Sequence, residues 1–264
     1  MARDDDADHV RSSVDAPQVI LNGGLRCASC PLTDCDGLKQ PAPELLQWIA
    51  AFRQGEARFL RGDVVFAQGT RPRHLYTILS GVLMRTRLLE DGRRQIINFM
   101  FPGDFIGLQA ALDAEMSHTV EALTGAVLCM FNRERFFDLA AQQPQLSFDL
   151  TWMAAHEEAA LEEHIVSLGQ RNARERMTAL AVFLVQRGME SGVASDGLLP
   201  LTVTQGQIAD MLGLSLVHTN RTIQALRRMG LVDWTLTGIR VPDLDAARGF
   251  AKVDKSPNSQ RPYI

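Results

Sequence analysis

Residues 204–223 are predicted to form two short helices joined by a glycine turn, and this pattern constrains the fold more than any other part of the chain. Thr204 is a good N-cap with Gln207 three residues later to complete a capping box, and Ser215 caps the second helix after Gly213. Caps at this spacing predict a helix-turn-helix. An ordinary helical hairpin would carry the same caps and stays open at this point.

The second predicted helix has two faces of different character. One face can pack against a core, and its positions recur at helical spacing at Thr219, Thr222, Ile223 and Leu226. The other face can read a ligand, and it carries Val217, Asn220, Arg221 and Gln224. Gly230 is expected to end the helix after two arginines.

A β-hairpin is predicted directly after this helix, because residues 231–241 alternate apolar and polar side chains around a glycine. A helix-turn-helix followed by a hairpin is a winged helix, whose second helix enters the major groove of DNA. The forked donors of Arg221 match guanine O6 and N7, and Asn220 could pair with adenine. The predicted contacts to double-stranded DNA are Thr204, Ser215, Val217, His218, Asn220, Arg221, Gln224 and Arg227.

Length and composition allow more than this one module. The chain has 264 residues, of which 46% are hydrophobic, so two domains and a substantial core are expected. The formal net charge is only −4, which makes charge a weak indication of DNA binding and leaves the argument to the motif. No nucleophile elbow, phosphate loop or paired catalytic carboxylates are found, so we do not expect an enzyme.

The sequence predicts a cytoplasmic protein that does not enter a membrane. No apolar run approaches the roughly 18 residues of a membrane span, and the N-terminus lacks the regions of a signal peptide. The first 20 or so residues and the stretch after Lys252 are expected to be disordered.

Many short strands are predicted between residues 58 and 131, where glycines separate short runs of Leu, Val, Ile and Phe. Asp91 and Gly92 mark a hairpin between residues 82–89 and 94–101. Such a block suits an antiparallel jelly-roll or barrel that closes its own edges.

A long helix is predicted for residues 145–168, directly after Pro144. A helix of this length needs a partner, and we expect a symmetric coiled-coil homodimer rather than a single core helix, although Glu157 and Glu158 interrupt the apolar seam. A second helix follows at residues 173–189. The predicted dimer seam consists of Leu150, Met153, Leu161, Ile165 and Leu168.

These elements predict an α+β chain with an antiparallel β-roll, a dimerisation helix and a winged helix-turn-helix. The expected units are a cysteine-bearing N-terminal segment at 1–44, a β-roll sensor domain at 45–143, the dimerisation helix at 144–171, the winged helix at 172–250, and a disordered tail at 251–264.

This order of elements resembles the CRP/FNR superfamily of bacterial transcription regulators from about residue 45 to 250. The matching motifs are LYTILSG at 75–81, FPGDFIGL at 101–108 and the helix-turn-helix. The resemblance implies a homodimer that binds palindromic operators and recruits or blocks RNA polymerase. Arg221 occupies the place of the family's guanine-reading arginine, whereas Val217 replaces its usual glutamate, so recognition of a cytosine amino group by a carboxylate is not expected here.

The resemblance also bears on the signal that the protein senses. Relatives that bind cyclic AMP hold its phosphate with an Arg-Ser pair, and the corresponding place here reads Met116, Ser117 and His118. Without a guanidinium the phosphate would lose its charge-assisted contact, so we do not expect cyclic AMP to bind.

Four cysteines suggest a different sensor. Cys27, Cys30 and Cys35 form a C-x2-C-x4-C cluster, and Cys129 stands where the oxygen-sensing branch of the family places its fourth ligand. The resemblance therefore implies an iron–sulfur cluster, of the [4Fe-4S] type, on these four thiolates, although the spacing between the second and third is one residue shorter than in that branch. Zinc and a metal-free β-roll that senses a small molecule or a protein remain alternatives.

Overall fold

The computed structural model describes residues 17–21, 24–112, 115–254 and 260–262. It confirms the predicted α+β architecture of β-roll, long helix and winged helix. The strands in chain order are β1 (Gln18–Leu21), β2 (Gly55–Phe59), β3 (Val64–Phe66), β4 (His74–Ser80), β5 (Leu83–Leu88), β6 (Arg94–Met100), β7 (Phe105–Ile106), β8 (Thr119–Ala122), β9 (Ala126–Asn132), β10 (Leu198–Leu199), β11 (Asp233–Trp234) and β12 (Ile239–Arg240). The helices are α1 (Pro43–Phe52), α2 (Leu108–Ala111), α3 (Phe136–Gln142), α4 (Pro144–Gln170), α5 (Ala173–Glu190), α6 (Gln205–Leu212), α7 (Leu216–Arg228) and α8 (Leu244–Ala251).

Two antiparallel sheets make the β-roll, with strand orders β1-β2-β9-β4-β7 and β3-β8-β5-β6. The hairpin between β5 and β6 turns at Gly92, where φ is 84° and a side chain would be strained. Ile78, Leu83 and Leu128 belong to the same buried core within the roll. This core fixes the sheet to which Cys129 belongs.

The long helix α4 packs against its own chain along its first half. It begins at Pro144, whose fixed φ suits a first helical turn. Leu150 and Met153 are buried with α1 and the cysteines rather than available to a second copy, so their assignment to a dimer seam is corrected. Helical periodicity identifies an apolar face but not the chain that covers it. Further along α4, Ile165 is 68% exposed.

The C-terminal helices share one hydrophobic core with the second sheet of the β-roll. Met84, Ile96 and Phe99 pack in the same cluster as Leu180 of α5 and Leu212 of α6. Polar contacts reinforce this packing, since Arg94 pairs with Asp210 at 2.7 Å and the Gln95 amide donates to the Met211 carbonyl at 3.0 Å. The predicted boundary at residue 172 therefore separates two sequence motifs but not two cores.

Both chain ends contain ordered segments where disorder was expected. β1 pairs with β2 from Gln18 onwards, and Arg261 forms a parallel bridge with Leu38. The Arg261 guanidinium also lies 2.5 Å from an Asp104 carboxylate oxygen. Backbone pairing and a buried ion pair order these segments, and composition shows neither of them. Residues 1–16, 255–259 and 263–264, to which the same expectation applied, lie outside the described residues.

Within the described ranges, no helix combines the length and apolar character that crossing a bilayer requires.

Candidate functional site

The helix-turn-helix is built by local hydrogen bonds at its helix ends. The Thr204 hydroxyl accepts from the Gln207 amide N–H at 3.2 Å, and the Gln207 side chain accepts from the Thr204 N–H at 2.8 Å. Gly213 ends α6 in the left-handed conformation with φ 63°, which turns the chain towards α7. The Ser215 hydroxyl then caps α7 by accepting from the His218 N–H. Thr204 and Ser215 thus hold the backbone of the motif, whatever further contacts they make.

The two faces of α7 separate as the spacing predicts. Thr219, Thr222, Ile223 and Leu226 are all buried. The opposite face is exposed along its length, and it presents Val217, His218, Asn220, Arg221 and Gln224. We call α7 the recognition helix.

On this exposed face Arg221 lies next to Asn220, whose side chain is held in position by a hydrogen bond within the chain. The Asn220 amide donates to the Gln205 side chain of α6 at 3.3 Å, so it is held before any ligand arrives. Among the described residues no ion pair engages Arg221, which leaves its donors for an acceptor outside the chain. Val217 is 62% exposed and offers only an apolar surface, as a thymine methyl would require.

The wing is attached to the recognition helix by Arg227. Its Nε donates to the Asp233 carboxylate at 2.7 Å and its guanidinium to the Trp234 carbonyl at 3.2 Å. Arg227, expected to contact DNA, thus also positions the hairpin of β11 and β12. At the wing tip Leu236 is 82% exposed, and sequence reasoning missed it because a lone apolar residue in a turn carries no motif.

Three of the four cysteines surround one small void. Cys27, Cys30 and Cys129 line it together with Arg26 and Arg53. The void measures about 20 Å³, which is the space of about one water molecule and less than a metal–sulfide cluster needs. Arg26 precedes Cys27 in the sequence, whereas the place of Arg53 could not be predicted, because it depends on how α1 packs against β9.

Cys35 lies apart from this void and contacts the turn after α5. Its Sγ lies 3.3 Å from the Ser191 carbonyl oxygen, and the nearby Gly37 N–H donates to the Glu190 carbonyl at 3.2 Å. All four thiols are free, and among the described residues no three His, Cys, Asp or Glu side chains stand as a metal site. The donor set has the chemistry of a cluster site, but the packing does not form the four-sulfur cage.

Burial favours the protonated form of three of these thiols, Cys27, Cys35 and Cys129. It raises the pKa of Cys129 to about 12, although nearby Arg53 acts in the opposite direction. Burial also raises the pKa of Cys27 and Cys35. Binding of a metal would have to replace these protons.

At residues 116–118, where relatives that bind cyclic AMP carry their Arg-Ser pair, this chain has a neutral histidine, His118. Burial, aided by Arg85, lowers the pKa of His118 to about 4, and Ser117 is hydrogen-bonded to Gln109 at 3.0 Å. Arg85 itself pairs with Glu157 at 2.7 Å. The guanidinium that acts on His118 is thus held by Glu157 within the chain.

Comparison with known proteins agrees with this architecture. The family "Cyclic nucleotide-binding domain" matches residues 56–143 and the family "Crp-like helix-turn-helix domain" matches residues 178–248. The nitrogen fixation regulation protein FixK of Bradyrhizobium diazoefficiens is 31% identical over 237 residues, which cover 88% of this chain and 96% of FixK. The anaerobic regulatory protein of Haemophilus influenzae is 28% identical over 86% of this chain and 88% of its own.

A solved structure shows the same fold. FixK2 from Bradyrhizobium japonicum superposes with a TM-score of 0.66 at 23% identity, covering 76% of this chain and 98% of FixK2. Together with the two family matches and the FixK relationship over nearly the whole chain, the β-roll, long helix and winged helix place this protein in the CRP/FNR superfamily of transcription regulators.

Proposed function

We propose that the protein acts as a homodimer that reads a palindromic operator with α7, and that it controls transcription together with RNA polymerase. The observation that carries this proposal is the exposed face of α7, where Arg221 is unpaired among the described residues and Asn220 is held by Gln205. Two such helices related by a twofold axis would enter successive major grooves of one duplex.

The dimer is proposed to form through the part of α4 that its own chain leaves uncovered. Phe148, Ile165 and Val166 are large apolar side chains exposed on this helix, and Leu161 and Leu168 are half-buried. Large exposed apolar side chains along one helix favour a helical partner. Leu161, Ile165 and Leu168 are spaced four and three residues apart and so share one face of α4, and we propose that this face takes the place of the seam through Leu150 and Met153.

We further propose that oxygen or redox state controls the protein through an iron–sulfur cluster on Cys27, Cys30, Cys35 and Cys129. When bound, such a group would supply a redox-sensitive link between these four thiolates. Support comes from three thiols that already share one void, and from Arg26 and Arg53, whose positive charges would offset thiolate charge there. The anaerobic regulatory protein of Haemophilus influenzae, a relative, suggests the same kind of signal.

Cys35 is the residue that has to move for four sulfurs to meet. It would leave the Ser191 carbonyl, which belongs to the turn after α5. A structural change in the cysteine segment (residues 24–39) would therefore act on the winged helix by two routes. One is the direct contact with the end of α5, and the other is the packing of the cysteines against α4.

The test is purification without oxygen. We expect brown protein that contains iron and sulfide, bleaches in air, and then binds less tightly to a palindromic duplex selected from randomised DNA. Serine at any of the four cysteine positions should lower the iron content, whereas Ser29→Ala, in the same segment, should not. Colourless, iron-free anaerobic protein that binds DNA equally well with and without air would contradict the cluster and leave DNA binding intact.

A metal-free regulator that senses a small molecule is the second candidate. It is favoured by one observation, a cavity of about 430 Å³ between α4 and α5.

A further inference from the structure

That cavity lies where β6 and α4 meet α5 and the end of α6. Its volume, about 430 Å³, falls within the range of small-molecule sites, roughly 300–1,000 Å³. It shares no lining residue with the void beside the cysteines, and the exposed face of α7 takes no part in it. Its chemistry therefore requires a separate explanation.

One wall of the cavity is flat and apolar. Trp152 stacks on His156 with ring centroids 3.4 Å apart and an angle of 21° between the planes. Leu161 of α4 and Phe183 of α5 line the cavity as well. Aromatic faces of this kind favour a planar apolar partner.

Within the described ranges, the charged groups around the cavity are paired with one exception. The pairs are Arg85 with Glu157, Arg171 with Glu163, and Arg187 and Arg261 with Asp104 and Glu190. The exception is Arg176, whose Nε donates to the Arg171 carbonyl at 2.8 Å and whose Nη1 donates to the Leu212 carbonyl at 3.2 Å. No carboxylate of the described residues pairs with it, so its positive charge favours an anion in the cavity.

His164 adds a polar atom that lacks a partner. Its Nε2 is buried without a hydrogen bond on the cavity wall. Burial lowers the pKa of His164, although a hydrogen bond with the Met211 backbone acts in the opposite direction, so the ring is neutral near pH 7 and Nε2 can form one hydrogen bond. A buried polar atom without a partner costs free energy that a ligand could recover.

We propose that this cavity binds a small organic anion with a flat apolar body. The body lies against Trp152 and Phe183, the anionic group pairs with Arg176, and a polar group of the ligand completes the hydrogen bond of His164. Because the ligand is defined by this chemistry, carboxylates, phosphates and sulfonates are all suitable probes.

The probe is 1-anilinonaphthalene-8-sulfonate, an aromatic anion that fluoresces in apolar surroundings, titrated into the full chain. Benzoate and phenyl phosphate should displace it at lower concentration than neutral benzyl alcohol. Arg176→Gln should weaken its binding about tenfold or more, because the charge-assisted contact is lost. Arg174→Gln, an exposed arginine on the same helix, should leave binding unchanged.

A second pair of variants separates the cavity from exposed apolar surfaces, to which the probe also binds. Ala160→Phe places a phenyl ring in the cavity and should abolish the displaceable fluorescence, whereas Ala141→Phe, exposed on α3, should not. If Arg176→Gln fails to fold, this pair alone decides. Probe binding that is unchanged in Ala160→Phe, or displaced as well by benzyl alcohol as by benzoate, overturns the proposal.

Discussion

Arg221 is the residue on which sequence preference should depend. Arg221→Ala is expected to cost about 1–3 kcal/mol of binding free energy at the preferred duplex and to leave weak nonspecific binding in place. The physical reason is that its guanidinium can bind guanine O6 and N7 together, and alanine offers no donor. Fluorescence anisotropy with selected and scrambled duplexes measures the difference.

Arg227→Ala is the matched comparison on the same helix. It removes the contact to Asp233 that holds the wing, so affinity should fall about equally for every duplex. If Arg221→Ala discriminates between selected and scrambled DNA as well as the unaltered protein does, Arg221 does not read a base.

The caps and faces of α7 could be predicted at the residue scale, because each depends on neighbours within a few positions. The Cys35 contact could not, since its partner Ser191 lies 156 residues further along the chain. The resemblance to the oxygen-sensing branch predicted that the four thiols belong together. It gave no indication that three would lie around one void and the fourth against the turn after α5.

At the scale of single elements, α4 should control association of two copies. Ile165→Asp is expected to weaken the dimer, because it places a charge in the proposed apolar contact. Glu162→Ala should strengthen it, since Glu162 is exposed and would lie near its symmetry mate, where like charges repel. Sedimentation equilibrium measures both effects.

Two other glutamates, Glu90 and Glu163, show what is specific to Glu162 in this association test. Glu90→Ala, on the exposed turn between β5 and β6, changes the net charge equally and should leave association unchanged. Glu163 is a different case from Glu162, because it pairs with Arg171 at 2.7 Å within the chain. Equal or weaker association of Glu162→Ala would show that this glutamate does not oppose the dimer.

The existence and extent of the elements were predictable to a large degree, whereas their partners were not. Pro144 and the apolar repeat predicted α4, which runs from Pro144 to Gln170. The same repeat could not tell that Leu150 and Met153 meet the cysteines of their own chain. The spacing of apolar residues along a helix predicts which side chains are buried. Only the folded structure shows which other residues bury them.

At the scale of the whole molecule, Arg261 should contribute measurably to stability. Its guanidinium reaches Asp104, which also accepts from Arg187 at 2.8 Å, while its backbone pairs with the cysteine segment. Arg261→Ala should lower the free energy of unfolding by about 1–3 kcal/mol, because a buried charged hydrogen bond is lost. Urea denaturation followed by circular dichroism measures it.

The surface pair of Arg93 and Asp91 is the control, because both side chains are largely exposed. Arg93→Ala should change the free energy of unfolding by about 0.5 kcal/mol or less. Equal losses in the two variants would mean that the Arg261 side chain contributes no more to stability than an exposed ion pair does.

The core shared by β5, β6, α5 and α6 bears on how regulators of this kind can be recombined. A chimera that joins this β-roll to the winged helix of another regulator would divide this shared core. Ile96 and Phe99 would then pack against the side chains of the other regulator. Such a graft should succeed only if the facing positions on α5 and α6 are transplanted with the sensor. Operator choice, in contrast, rests on the outer face of α7 and can be exchanged without touching that core.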